Sequence, residues 1–126
     1  MTPADRKYTK EHEWILFLGE DAKLGITAHA QEALGDIVYV ELPAVGETFE
    51  VGDSFAVVES VKAVSNVYTA VGGEFISVNE ALDEKPELLN EDPYANHIAV
   101  FRVSEIDDAA LLSAEEYDAF ILEENK

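Results

Sequence analysis

Short apolar segments separated by turn-forming residues run through most of the chain. Their lengths, and the glycine, proline and asparagine residues between them, are typical of β-strands rather than of helices. Gly72 and Gly73 are placed in a turn between two of the predicted strands. These strands span residues 14–18, 22–26, 36–42, 48–50, 54–59, 64–69, 74–78 and 98–103. Many short strands with frequent turns favour a small sandwich or flattened barrel.

Two segments carry the signals of helix ends instead. Thr27 can cap a short helix over residues 28–34, and Gly35 stands where a helix commonly ends. Ser113 and Glu116 match the capping-box pattern, so a C-terminal helix is predicted to begin there. The predicted apolar face of that helix comprises Tyr117, Phe120 and Ile121.

The acidic stretch over residues 83–92 is predicted to be a surface connection within one domain. One helical turn is expected over residues 86–89. Residues 90–94 are expected to form a loop, because the residue before Pro93 is pushed out of helical conformations. With 126 residues and 48% hydrophobic content, the chain suits a single domain with one core, spanning residues 1–126.

The chain is strongly acidic, with 27 acidic residues against 8 basic ones and a formal net charge of −19. This charge repels phosphate backbones and anionic membrane surfaces, so neither nucleic acid nor a membrane is an expected partner. An acidic surface can instead attract basic partner surfaces, or it can serve solubility alone. Both interpretations of the acidity stay open at this point.

Cysteine is absent from the sequence, which excludes disulfides, zinc–thiolate sites and cysteine nucleophiles. Residues 1–7 carry no apolar segment and do not look like an arginine-rich transit peptide. Apolar runs elsewhere are too short to span a bilayer. We therefore expect a protein of the cytoplasm or an equivalent compartment.

Lys62 is isolated among acidic residues. It is the only lysine or arginine between Lys23 and Lys85, a stretch that also contains eleven acidic residues. Two predicted strands flank it, so it is expected at the exposed tip of a hairpin. A lysine at such a tip often serves solubility only. A Schiff-base role is disfavoured, because Glu59 favours the charged amine, whereas Schiff-base lysines usually have a lowered pKa.

The residues around Lys62 add a motif to this position. The segment Glu59-Ser60-Val61-Lys62-Ala63 resembles the lipoyl attachment motif of glycine cleavage system H proteins. Biotin carriers show methionine on both sides of the lysine, and lipoyl domains of 2-oxoacid dehydrogenases usually show Asp-Lys-Ala, so the H-protein form fits best. Further segments resemble the same family in the same order, over residues 8–14, 25–27 with 30–36, 38–43, 78–79 with 89–94, and 112–120.

This resemblance implies a lipoyl/biotinyl-domain-like sandwich of two antiparallel sheets with short helices. It also implies lipoate in amide linkage to Lys62, with Glu59, Ser60, Val61 and Ala63 as the surrounding motif. The implied function is a lipoyl carrier of glycine cleavage and not an enzyme, since the cofactor supplies the chemistry. The implied partners are a pyridoxal-phosphate glycine decarboxylase, a tetrahydrofolate-dependent aminomethyltransferase, dihydrolipoamide dehydrogenase and a lipoyl-attaching enzyme.

In the resembled family, the loaded arm is held in a cleft lined partly by the His-Glu-Trp segment. By position, the expected contacts in this sequence are His12, Glu13, His29 and Asn66. Glu13 can pair with an amine. Asn66 replaces the family's usual aspartate and supplies no charge, so the arm is expected to be held less firmly or differently. Asn96-His97 replaces the usual Gly-Trp, and loss of a buried tryptophan requires compensation.

Competing sites and functions were weighed against this interpretation. His12 and His29 lack the close spacing of metal ligands, so no metal site is predicted. No glycine-rich phosphate loop or nucleophile elbow is present, which disfavours intrinsic catalysis. The departures at Asn66 and Asn96-His97 keep a second function open: a lipoyl relay or regulatory module that docks enzymes outside glycine cleavage.

Overall fold

Two antiparallel sheets form the computed structural model, which describes residues 2–42 and 44–124. In chain order the described strands are β1 (Lys7–Tyr8), β2 (Glu13–Leu18), β3 (Asp21–Ile26), β4 (Ile37–Glu41), β5 (Thr48–Phe49), β6 (Ser54–Ser60), β7 (Val64–Tyr68), β8 (Val71–Val78) and β9 (Ala99–Ile106). The larger sheet has the order β1-β2-β3-β9-β8-β5, and the smaller has the order β4-β6-β7. The predicted sandwich is confirmed, and the described strands do not close into a barrel.

Apolar side chains from both sheets meet in one core. Ile15 of the larger sheet and Val58 of the smaller sheet are both almost fully buried in the same cluster. Phe75 and Phe101 stack across β8 and β9 with ring centroids 4.5 Å apart. Phe55 of the smaller sheet meets Phe101 edge-on, with centroids 5.4 Å apart. Truncating any of these rings to alanine would cost about 3–5 kcal/mol of stability, so they hold the two sheets together.

Short helices connect the strands at the edges of the sandwich. Those in the described residues are α1 (Ala28–Leu34), α2 (Ala81–Glu84), α3 (Leu88–Glu91) and α4 (Ala114–Glu124). The predicted cap of α1 is confirmed, because the Thr27 hydroxyl accepts a hydrogen bond from the Ala30 N–H at 3.3 Å. The capping box of α4 is confirmed in both directions, with Ser113 N–H to Glu116 at 2.8 Å and Glu116 N–H to Ser113 at 3.1 Å. None of the described helices is long and apolar enough to cross a membrane.

Helix α4 covers a second, smaller apolar cluster. Its predicted face is confirmed, since Tyr117 is buried and stacks on Tyr8 with ring centroids 5.0 Å apart. Trp14 lies in the same cluster and donates its indole N–H to the Pro93 carbonyl at 3.1 Å. A Cβ on Gly25, its partner across β2 and β3, would lie 2.6 Å from the indole ring. Only glycine therefore fits beside this tryptophan.

Asn96 occupies its departure from the resembled family with hydrogen bonds of its own. Its side-chain amide donates to the carbonyls of Leu88 at 3.2 Å and Asp92 at 2.9 Å, at the C-terminal end of α3. The carbonyl of half-buried His97 accepts from the Asn79 amide at 2.9 Å. Burial lowers the pKa of the His97 imidazole. The replaced Gly-Trp pair is thus compensated by backbone capping rather than by another large ring.

Two parts of the predicted element pattern are wrong. Gly72 and Gly73 lie within β8 rather than in a turn, and the pairing of β8 with β9 is irregular between them, so these glycines mark a bulge. Helix α3 continues through Glu91, whereas a loop was expected from residue 90. The proline restricts only its immediate neighbour: Asp92 is extended, with φ −157° and ψ 92°.

Candidate functional site

Lys62 is exposed at the tip of the β6–β7 hairpin, as predicted. The tip is tightly bonded, with the Ser60 N–H donating to the Ala63 carbonyl at 2.8 Å. The Ser60 hydroxyl accepts hydrogen bonds from the N–H groups of Lys62 at 3.3 Å and Ala63 at 3.1 Å. Serine thus satisfies the backbone donors of the turn, and the lysine backbone is held in one place while its side chain stays free.

Neighbouring elements support this tip from below. The Val61 N–H donates to the Asp36 carbonyl at 3.0 Å, which ties the turn to the segment before β4. Asn90 fixes the same segment, because its side chain accepts from the Ile37 N–H at 2.8 Å and donates to the Gly35 carbonyl at 2.8 Å. A Cβ on Gly35 would approach Lys62 Cε at 3.4 Å, so the lysine stem passes over this glycine.

Exposed apolar side chains surround the lysine on the smaller sheet. Tyr39 of β4 is paired with Glu59 of β6, and Glu59 is paired with Val64 of β7, so the three form one row across the sheet. Tyr39 and Val64 are 46% and 66% exposed, and Val61 at the tip is 70% exposed. Grouped apolar exposure of this kind marks an interaction surface. Glu59, Val61 and Ala63 therefore present the lysine on a surface that a protein partner can bind.

Glu13 provides the opposite environment, because its carboxyl is buried at 3% residue exposure. Its Oε2 accepts from the Tyr68 N–H at 2.6 Å, and its Oε1 lies 3.0 Å from the Thr9 hydroxyl. Burial raises the pKa of Glu13 to about 8, although both hydrogen bonds oppose the shift. The carboxyl is therefore largely protonated at neutral pH and can ionise when a cation comes close.

A cleft of about 360 Å³ opens beside Glu13. Its lining is mainly apolar, and it carries two further carboxylates, Glu11 and Asp107. The residues that line it are Thr9, Glu11, Glu13, Val51, Gly52, Tyr68, Thr69, Ala70, Asp107 and Ala110. A site with a protonatable acid in an apolar wall suits a small amine attached to an apolar group.

The four residues expected in the arm cleft fall into different places. Glu13 lines the cleft, whereas His12, His29 and Asn66 are not among its lining residues in the described chain. Asn66 is exposed on β7, where its side-chain oxygen accepts from the Ser54 hydroxyl at 3.1 Å. His12 and His29 instead stack on each other with ring centroids 4.3 Å apart.

Sequence reasoning missed several residues that shape the site. Thr9 and Tyr68 hold the Glu13 carboxyl, and Glu11 and Asp107 add charge to the cleft. One signal was available: an acidic residue directly before the apolar run of β2 is typical of a buried carboxyl that needs donors. Nothing in the local sequence indicated Asp107, which follows β9 far along the chain.

Comparisons with known proteins agree with this geometry. The family model described as Glycine cleavage H-protein matches residues 6–124. A Glycine cleavage system H protein from Herpetosiphon aurantiacus is 50% identical over 123 residues, which cover 97% of this chain and 95% of that protein. This chain belongs to the glycine cleavage H-protein family. Another member, from a Psychrobacter species, is 54% identical over 122 residues, covering 93% of this chain and 95% of that protein.

A solved structure extends the agreement to three dimensions. The crystal structure of a glycine cleavage system H protein from Mycobacterium marinum matches with a TM-score of 0.87 and 40% identity. The match covers 93% of this chain and 96% of that one. Family, fold and the carrier role in glycine cleavage, all expected from the sequence, are therefore confirmed.

Proposed function

We propose that this chain carries lipoate in amide linkage to Lys62 and serves glycine cleavage as its mobile carrier. The observation that carries the proposal is an exposed amine at the tip of a tightly bonded hairpin, within an H-protein attachment motif. The residues present fit the group, because the lysine stem passes over Gly35 and its amine stays open to solvent. When bound, lipoate supplies a dithiolane that accepts a one-carbon amine and two electrons.

The hairpin provides recognition. The attaching enzyme must reach the Lys62 amine while it binds the exposed surface of Tyr39, Val61 and Val64. Because the tip is fixed by Ser60 and by the Asp36 carbonyl, the lysine is offered at a defined position and little order is lost on binding. A tethered group in turn reaches each docked enzyme at high effective concentration.

The cleft provides a resting place for an amine. Tyr68, which lines it, stands at the far end of β7, the strand that begins two residues after Lys62. Glu13 is protonated in the absence of a cation, and an arriving ammonium group favours its ionised form. The resulting charge-assisted hydrogen bond would hold the amine away from water until a partner takes it.

The partners that we propose are those of the glycine cleavage system. A glycine decarboxylase loads the carrier, an aminomethyltransferase unloads it and dihydrolipoamide dehydrogenase reoxidises it, while a lipoyl-attaching enzyme modifies Lys62. In this scheme the chain itself catalyses no step. Its net charge of −19 favours docking to basic surfaces at low ionic strength.

Intact-mass measurement tests the attachment site. The chain is produced together with a lipoyl-attaching enzyme, and a single lipoyl addition is expected. Lys62→Arg should abolish the addition, whereas the control Lys85→Arg, at an exposed lysine outside the hairpin, should leave it complete. A lipoyl group on the Lys62→Arg protein would overturn the assignment.

An exchange assay then tests the assigned role. The lipoylated chain, with glycine decarboxylase, should support the exchange of bicarbonate carbon into glycine, and the unmodified chain should support far less. Full lipoylation without exchange would favour the relay or regulatory module over the glycine cleavage carrier. The mass measurement and the exchange assay can therefore fail separately.

A further inference from the structure

Three side chains with metal-binding groups meet beside α4. His12 precedes β2, His29 lies in the first turn of α1, and Glu124 ends α4. One ligand atom from each lies within 4.8 Å of the other two. His12 Nε2 and the Glu124 carboxylate are 3.2 Å apart. Ligand atoms around a tetrahedral zinc ion are about 3.3 Å apart, given zinc–ligand bonds of about 2.0–2.1 Å, so this pair already has the required separation.

The second histidine leaves a buried nitrogen without a partner. His29 Nδ1 is inaccessible to solvent and makes no hydrogen bond to any described residue. A polar atom left in this state costs about 1–3 kcal/mol, and such atoms in native proteins usually have a functional explanation. The two imidazole rings stack at 26°, so a shared ion requires a side-chain rotation of the half-buried His29.

A supporting hydrogen bond orients the first histidine. His12 Nδ1 lies 2.8 Å from the Tyr117 hydroxyl, which is itself 2.7 Å from the Thr27 hydroxyl. When the imidazole Nδ1–H donates to Tyr117, the Nε2 lone pair is free toward Glu124. Metal-bound histidines are commonly held through their second nitrogen in this way.

The backbone of His12 also points to a constrained position. With φ at 68°, it is the single non-glycine residue of the described chain that has a positive φ. This conformation is unfavourable for residues with a side chain and is found most often at functional sites. The Thr27 N–H donates to the His12 carbonyl at 3.1 Å and helps to hold the turn.

From these contacts we infer that His12, His29 and Glu124 form a binding site for one divalent transition-metal ion, with Zn²⁺ as the reference ligand. Two imidazoles and one carboxylate favour Zn²⁺, Co²⁺ or Ni²⁺ over Mg²⁺ and Ca²⁺, which prefer oxygen ligands. Three protein ligands leave a fourth position for water. Glu124 is exposed and both histidines are half-buried, so an ion can enter from solvent.

A metal at this position would join three separate elements of the fold. It would clamp the end of α4 to the start of α1 and to the turn from Thr9 to Glu13. His12 directly precedes Glu13, and its N–H donates to the Thr9 carbonyl at 3.1 Å. The bound ion would therefore make one wall of the arm cleft more rigid.

Isothermal titration of the tag-free chain with Zn²⁺ tests the site. The titration is run in millimolar Mg²⁺, which occupies the many surface carboxylates but competes poorly for imidazoles. We expect one ion per chain and an affinity at least about tenfold weaker in His12→Asn and in His29→Gln. Asn is chosen for position 12 because it tolerates a positive φ. Glu124→Gln should weaken binding by a smaller factor.

Matched controls separate a built site from surface charge and from misfolding. His97→Gln removes the third histidine of the chain, and Glu115→Gln removes an exposed carboxylate from α4; both should bind as the unaltered chain does. Zn²⁺ should raise the unfolding temperature of these controls but not that of His29→Gln. Equal binding by the controls and the His29→Gln chain, or no binding in Mg²⁺, would overturn the inference. The outcome is independent of whether Lys62 is lipoylated.

Discussion

The Lys62 tip and the Glu13 cleft are opposites in almost every physical respect. The tip is exposed, lies within one hairpin and is held by hydrogen bonds between residues at most three positions apart, apart from its bond to Asp36. The cleft is buried and brings Glu13 of β2 against Tyr68 of β7, 55 positions apart. The tip depends on accessibility, whereas the cleft depends on desolvation.

This contrast explains why one chain can serve both attachment and protection. An amine that an enzyme must modify has to stay in water, where its side chain remains mobile. A carboxyl that must receive a protonated amine gains strength from an environment where charge is costly, because the new ion pair then replaces an unfavourable state. The two regions should therefore respond differently to substitution, to pH and to charge.

The largest expected difference is in stability. Glu13→Ala removes the acceptor of the buried Tyr68 N–H and leaves a cavity beside Thr9, so the free energy of unfolding should fall by about 4 kcal/mol. Lys62→Ala removes only an exposed side chain and should change it little. Urea denaturation at pH 5, where Glu13 is protonated, measures both. Equal losses for the two variants would refute the contrast.

A pH-dependent difference comes next. The folded pKa of Glu13, about 8, lies above its ordinary value of 4.5, so the carboxyl stabilises the fold below pH 4.5 and this contribution is lost as pH rises toward 8. The loss should be on the order of 3 kcal/mol. Glu13→Gln, which resembles the protonated acid, should lack it.

Denaturation at pH 5 and pH 9 compares the two proteins directly. Self-repulsion of the acidic surface weakens both to a similar extent, so the difference between them isolates Glu13. Parallel pH profiles for Glu13→Gln and the unaltered chain would show that the carboxyl is already ionised at neutral pH.

Charge in the cleft should affect the loaded carrier more modestly. Asp107 and Glu11 line the cleft, while Asn66 lacks the charge that the family's usual aspartate would bring. Asp107→Asn should shorten the lifetime of the amine-loaded carrier about fivefold, equivalent to about 1 kcal/mol. Intact mass followed over time without the aminomethyltransferase measures this. Lifetimes unchanged in both Asp107→Asn and Glu11→Gln would place the amine elsewhere.

The smallest effect is expected at the turn itself. Ser60→Ala removes the hydroxyl that accepts from two backbone N–H groups and should cost about 0.5–1 kcal/mol. Lipoylation should still go to completion at a rate lowered by less than about threefold, since the amine stays exposed. Ser65→Ala, on the adjoining strand, serves as the control. Loss of lipoylation in Ser60→Ala alone would mean that the turn is recognised in detail rather than merely held.

Local patterns predicted much of the fold because the responsible interactions are local. The caps of α1 and α4 each join residues three positions apart, and the strands of the sandwich follow from short apolar segments between turns. The errors arose where an assumption replaced long-range information. Gly72 and Gly73 look like a turn in isolation, but pairing with β9 keeps them in a strand.

For the site, the same division holds between neighbouring and distant residues. Lys62 was identified through a contiguous motif, and the structure places it where the motif predicted. His12 and His29 were set aside as metal ligands for lack of close spacing, yet folding stacks their rings. Glu13 was singled out by position, but the partners that determine its ionisation, Thr9 and Tyr68, required the register of both sheets.

The sequence by itself determined which residue is offered to an attaching enzyme, because a hairpin tip and its motif are written in consecutive residues. Only the tertiary structure decided which acid is buried, which carboxylates share its cleft and which histidines meet. Those properties depend on the removal of water and on the distance between side chains far apart in the chain, and neither quantity exists until the two sheets pack.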